Sequence, residues 1–201
     1  MYGDFLVMVD AMIGRVLKTL KKAGISDNTL LFFTSDNGPH SEGGNNVSFF
    51  DANGPVTGIK RAMYDGGIRV PGLMHWPGRI PAGQILDTPC AAMDIFPTFL
   101  NAAGGDIAGG EIDGIDLMPY LTGGHAPTER PIFWEMGDQT AVRRGNWKRG
   151  LDGQLVELPL PSLGIFGIAQ MLSCCARPLM KIHLHLPQQL HLQQSGLACL
   201  R

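Results

Sequence analysis

The sequence has little cysteine, little charge of either sign and no long apolar run. Its cysteines are Cys90, Cys174, Cys175 and Cys199. They form no C-x-x-C pair, and no His/Cys spacing suggests zinc. The formal net charge is -2, which excludes a general nucleic-acid binder, and no run of like charges marks a tail. No uninterrupted apolar stretch reaches membrane-spanning length. The opening MYGDFLVMVDAMIGRVL is apolar, yet it lacks a basic leading region and carries Asp4 and Asp10, so it does not read as a signal peptide. What is present is 44% hydrophobic residues against 17% charged, enough for a core and too little charge for a disordered chain. The 27 glycines fall largely in loops, as in a protein whose chemistry sits on backbone turns. A length of 201 residues suits one domain or a piece of a larger one.

Phe5, Met8, Val9, Met12, Ile13, Val16, Leu17 and Leu20 recur at spacings of three and four. They predict a helix over 4–22, with Lys18, Lys21 and Lys22 in its last turn and Gly24 as C-cap. Asp10 falls on its polar side. The short apolar run Thr29 to Phe33 predicts a strand covered on both faces, as in a parallel or mixed sheet. Residues 34–58 then make a long loop at the strand's carboxyl end, where ligands sit in open α/β sheets. Ile68 to His75 is a second strand candidate. DIFPTFLNAA, residues 94–103, reads as a helix capped by Asp94, with Pro97 in its first turn. Pro131 to Glu135 and Ala141 to Lys148 pair as a small antiparallel hairpin. The fold class is α/β.

Beyond residue 150 the character changes. Asp152, Glu157, Arg177, Lys181 and Arg201 are the only Asp, Glu, Lys or Arg over 151–201, and no helical or strand period persists. The division expected is 1–125 as an α/β unit, 126–150 as the start of a small subdomain, and 151–201 as an atypical, disordered or frame-shifted tail.

TSDNGPHSEGGN, residues 34–45, carries the chemistry. Alone, Asp36-Asn37-Gly38 is a turn, since these residues tolerate positive φ. Later stretches change that reading: GIKRAMYDGGIRVP (58–71), WPGRI (76–80), DIFPT (94–98) and AVRRGNWK (141–148). With D-x-x-I-G-R-V-L (Asp10 to Leu17, with Met12 inside it) and DNTLLFFTSDNG (27–38), they resemble the sulfatase family, the formylglycine-dependent arylsulfatases of the alkaline phosphatase superfamily. The resemblance covers residues 1–148 and looks closest to bacterial-type sulfatases of sulfated carbohydrates. It implies part of an alkaline-phosphatase-like mixed sheet flanked by helices, the C-terminal half of a catalytic domain. It also implies hydrolysis of a sulfate monoester, with a sulfated small molecule or carbohydrate as partner, and a periplasmic, secreted or lysosomal location.

A sulfate ester is an anion that gains charge on its oxygens during hydrolysis, so its site needs fixed positive charge. By resemblance, Asp36 and Asn37 are calcium ligands, oxygen donors suited to a hard ion. Lys60 contacts sulfate and is the catalytic cation, although an isolated lysine is ordinarily a solvated surface residue. His40 and Glu42 either touch substrate or face solvent, and His40 is the substrate-binding candidate. Arg61 and Arg69 pair with acids such as Asp65, and His75 is a packed strand residue. The family's C/S-x-P/A-x-R nucleophile signature, the source of its formylglycine, is not found here, and Cys90 does not fit it. It is expected upstream of Met1, and the chain alone is expected to bind calcium weakly and not to turn over. Two other readings remain. One is a phosphodiesterase or phosphonate hydrolase of the same superfamily, disfavoured by Asn37 where two-metal relatives commonly carry histidine. The other is a non-catalytic product.

Overall fold

The structure, a computed structural model, describes residues 2–106, 111–150, 153–158 and 198–200. Helix α1, Tyr2–Lys22, carries Asp4 in its first turn and Lys21 and Lys22 in its last, charges that oppose the helix dipole's ends. Gly24 closes it at φ 72°, with the Ile25 N–H bonded to the Leu20 carbonyl. The helix is apolar on more than one side. Leu6, Val9, Ile13, Leu17 and Leu20 are half-buried, whereas Phe5, Met8, Met12 and Val16 stay exposed. Asp10 departs from its expected place on the polar side. It flanks the half-buried stripe, with Oδ1 buried and unpartnered among the described residues, and burial pushes its pKa up.

Strand β1, Leu31–Thr34, is half-buried rather than covered on both faces. It lies at the edge of a four-stranded sheet and pairs antiparallel with β2, Gly72–His75. All four residues of β2 are buried. It is shorter than the strand predicted from Ile68, because Asp65–Ile68 coils into one helical turn, α3, and Val70 and Pro71 only lead into the strand. The short α2, Val47–Phe50, lies in the long loop after β1. The third strand, β3, is Ile85–Leu86. The backbone of β8, Ala198–Leu200, lies between β2 and β3, antiparallel to the first and parallel to the second. The sheet is therefore mixed.

The core packs Val70, Met74, Trp76, Ile80, Leu86, Cys90, Leu117, Met118 and Leu121 against one another. Helix α4, Ile95–Ala102, and the single turn α5, Met118–Leu121, cover it. Asp94 does not cap α4 as expected, since no side-chain cap bond forms there. Fully buried, it accepts the Ala91 N–H at 2.8 Å and the Ile115 N–H at 2.9 Å, and it pairs with Arg130. Burial without such partners would be prohibitive for a carboxylate. Thr98 extends this hub, donating to the Asp94 carbonyl and accepting the Leu117 N–H.

The C-terminal hairpin extends to four strands in antiparallel order: β4 (Ile132–Met136), β5 (Gln139–Arg144), β6 (Trp147–Gly150) and β7 (Leu155–Glu157). The segment read as one strand from Ala141 to Lys148 divides because Gly145, at φ 55°, turns the chain. Strand β7 falls inside the stretch that composition set apart as a tail, most of which lies outside the described residues. No helix among the described residues is long and apolar enough to cross a membrane.

Candidate active site

The loop after β1 is stitched to the segment before β2. The Gly38 N–H donates to the Gly67 carbonyl at 2.8 Å, and the Lys60 N–H to the Pro39 carbonyl at 2.8 Å. Glycine is required at this crossing: a Cβ on Gly38 would lie 1.8 Å from the Gly66 carbonyl oxygen, and one on Gly66 would lie 2.1 Å from that of Gly58. The two sequence stretches that carry the candidate residues, 36–40 and 58–67, are therefore one structural unit.

Asp36 is exposed and Asn37 half-buried. Ser35 Oγ donates to the Asn37 carbonyl, and the Asn37 side-chain amide donates to the Gly38 carbonyl at 2.8 Å. The Asn37 side-chain oxygen thus stays available, and the Asp36 carboxylate takes no hydrogen bond or ion pair from the described residues. Both donors suit a hard cation, but no group of three or more His, Cys, Asp or Glu side chains converges on a metal position among the described residues. A full calcium shell takes about 6–8 oxygens, so these two residues fit part of a site.

Lys60 occupies the second position of a tight turn, closed by the Ala62 N–H on the Ile59 carbonyl at 2.9 Å. Arg61, at the third position, adopts φ 75°, a left-handed conformation usually left to glycine in such turns. That strain costs on the order of 1–3 kcal/mol and clusters at functional loops. The Lys60 side chain makes no hydrogen bond or close ion pair among the described residues, although its charge acts weakly on the Glu42 carboxyl, to which Arg61 reaches back. This hydrogen bond, then the charge of Arg61, holds the Glu42 carboxyl below its ordinary value. Arg61 therefore pairs with Glu42 rather than Asp65. His40 accepts the Glu42 N–H on Nδ1 at 3.0 Å. Its ring is partly exposed, so the two residues tie the loop to the Lys60 turn.

Behind this unit lies a cluster that sequence reasoning found only in part. Asp65 receives Lys148 Nζ at 2.7 Å, and Arg69 and Arg143 approach at 3.8 Å, all with side chains no more than 9% exposed. Three cations thus surround one carboxylate. Burial lowers the pKa of Lys148 and Arg143 and brings Arg69 down to about 10, while Asp65 opposes each shift. Lys148 also stands 5.2 Å from the Trp134 ring centroid. The pairing of Arg69 was anticipated and those of Arg143 and Lys148 were not. A signal existed: in β5, Ala141 and Arg143 alternate on one face, so an apolar 141 places 143 inward. His75 is buried in β2, as expected.

A cavity of about 520 Å³ opens beside the Lys60 turn, lined by Ser41, Asn45, Asn53 and Ile59 among others. Asp36, Asn37 and Lys60 are not part of its wall.

The family model described as Sulfatase matches residues 1–105. The N-acetylgalactosamine-6-sulfatase of Canis lupus familiaris is 41% identical over 149 residues, covering 73% of this chain and 28% of that protein. The steryl-sulfatase of Rattus norvegicus is 46% identical over 125 residues, covering 61% and 22%. Among solved structures, the PsFucS1 sulfatase from Pseudoalteromonas sp. superposes with TM-score 0.61 at 33% identity, over 72% of this chain and 29% of that one. The chain thus spans less than a third of the length of these relatives. With a family match over half its residues and this shared fold, the chain belongs to the sulfatase family.

Proposed function

We propose that this chain forms part of a sulfuric ester hydrolase that cleaves sulfate monoesters, with a sulfated carbohydrate as substrate. The observation that carries the reading is the stitching of the Asp36-Asn37 loop to the Lys60 turn through the Lys60 N–H and the Pro39 carbonyl. It sets two oxygen donors and an ammonium that makes no hydrogen bond among the described residues on one backbone unit. Asp36 and Asn37 would hold calcium, which when bound supplies fixed positive charge beside the ester. Lys60 contributes a second positive charge, presented at a turn apex and aimed at a sulfate oxygen. Charge fixed in advance of the reaction is worth more than charge that must be recruited. His40, partly exposed beside the turn, contacts the substrate. The formylglycine nucleophile of the family is not supplied by these residues. The names of the relatives divide between a sugar sulfate and a steryl sulfate; the resemblance of residues 38–61 to sulfatases acting on sulfated carbohydrates favours the sugar.

The test is a chimera in which this chain replaces the matching 149-residue stretch of the canine relative. It should hydrolyse an aryl sulfate in preference to an aryl phosphodiester, and Lys60→Ala should lower kcat/KM by about a hundredfold. Preference for the diester, or indifference to Lys60, would overturn the reading.

A further inference from the structure

We propose that the buried cluster around Asp65 binds a small inorganic anion of chloride size at the guanidinium ends of Arg69 and Arg143. The inference is independent of the sulfate-ester reading, which gives these residues no role.

Charge is the first argument. Lys148, Arg69 and Arg143 bring three positive charges to the single carboxylate of Asp65, and all four side chains are at most 9% exposed. Among the described residues no second acid pairs with them. Buried charge is tolerated when it is paired, so the cluster is short of negative charge. The cations also act on one another. Beyond the effect of burial, and against the pull of Asp65, the charge of Arg143 pushes the Arg69 pKa down, and both arginines push that of Lys148 down.

Hydrogen bonding is the second. Asp65 Oδ1 accepts the Lys148 ammonium at 2.7 Å. Asp65 Oδ2 lies 3.8 Å from Nη1 of both Arg69 and Arg143, beyond the roughly 2.7–3.2 Å of a hydrogen bond. Arg143 places its Nε on the Gly145 carbonyl at 2.7 Å. The Arg69 side chain makes no hydrogen bond among the described residues, and its Nε is buried. Each guanidinium is a fork of N–H donors with no acceptor of its own, and buried donors without partners are rare. Two such forks converge on one oxygen that is too distant to satisfy either. An anion on their terminal nitrogens supplies the acceptor and part of the missing negative charge.

The small exposure of the cluster selects the size of the ion. A halide can reach the guanidinium ends, whereas an organic acid brings bulk that the narrow opening excludes. Asp65 lies in α3 and Arg69 directly follows it, while Arg143 lies in β5 and Lys148 in β6. The ion therefore fastens the C-terminal sheet to the segment whose Gly67 carbonyl receives the Gly38 N–H.

The experiment titrates the whole chain with chloride, replacing gluconate at constant ionic strength so that screening does not change. The Nε–H resonances of Arg69 and Arg143 should shift saturably, with a midpoint of about 10 mM. That of exposed Arg144 should stay in place. At tenfold excess over the midpoint the melting temperature should rise by about 3–6 °C. Acetate should produce neither effect. Arg69→Met should abolish the Arg143 shift and the thermal gain, and Arg144→Met should retain both. The two resonances locate the ion in the parent chain, so the test stands even if Arg69→Met does not fold. Equal melting in chloride and gluconate would overturn the inference, as would a thermal gain that leaves Arg69 and Arg143 unmoved. Acetate acting as well as chloride would also overturn it, showing that the cluster takes a carboxylate, such as an acidic side chain from another segment.

Discussion

Replacing Asp65 with Asn should damage this protein more than replacing any of the cations around it. The carboxylate lies 2.7 Å from Lys148 and 3.8 Å from both Arg69 and Arg143. At 3.8 Å and an effective dielectric of about 20, one unit pair attracts by about 4 kcal/mol before desolvation is subtracted. Asp65→Asn keeps the shape and removes the charge, so three buried cations face one another without a counterion. Breaking a buried pair in this way costs about 3–5 kcal/mol. For a chain of this size that lowers the melting temperature by roughly 6–20 °C. Lys148→Met differs, because Asp65 keeps two arginines and the mutual repulsion of the cations falls. Its loss is one charge-assisted hydrogen bond, about 1.5–3 kcal/mol at most. Glu129→Gln, which removes an exposed partner of Arg144, should change almost nothing. Thermal unfolding followed by circular dichroism ranks the three variants. If Asp65→Asn melts with the parent chain, or if Lys148→Met is the more harmful, the carboxylate is not the hub.

Three further outcomes are expected. Gly38→Ala should destabilise the chain by about 1–3 kcal/mol, because its Cβ meets backbone that cannot yield, and it should speed hydrogen exchange at the Lys60 amide; unchanged exchange would show that the loops are not stitched. The Glu42 carboxyl is held below its ordinary 4.5 by the hydrogen bond from Arg61. The loop tie it provides is therefore present above that value and lost as pH falls through the lowered one; NMR titration should find a low midpoint that rises in Arg61→Ala. Cys90 is buried and donates to the Thr88 carbonyl, and burial, then the charge of Asp94, pushes its thiol up to about 12. The peptide carrying it should resist alkylation near neutral pH until the chain unfolds; fast labelling of the native protein would contradict the packing.

Much of the fold was legible because its signals are local. The helix through Leu20, the Gly24 cap and the C-terminal hairpin follow from spacing and turn chemistry over a few residues. Asp94 was misread for the same reason. A carboxylate before an apolar run resembles an N-cap, while of its actual partners only Ala91 is local, and Ile115 and Arg130 lie far along the chain. β1 reads as fully covered from composition, yet burial is set by neighbours, and at the sheet edge it pairs with β2 alone among the described strands. The candidate site was legible as motifs through family resemblance. The stitching between Pro39 and Lys60, and the convergence of Lys148 on Asp65, required the three-dimensional path.

The central claim is that Asp36, Asn37 and Lys60 share one site for a hard cation and an anionic ester. Paramagnetic Mn²⁺, standing in for calcium, tests it directly in the isotope-labelled chain. The account predicts weak binding, well above micromolar, because two residues supply only part of a shell of about 6–8 oxygens. It also predicts that broadening appears first at Asp36 and Asn37, reaches Lys60 in the same titration, and disappears in Asp36→Ala. Broadening centred elsewhere, or a Lys60 signal untouched while Asp36 and Asn37 vanish, would contradict it.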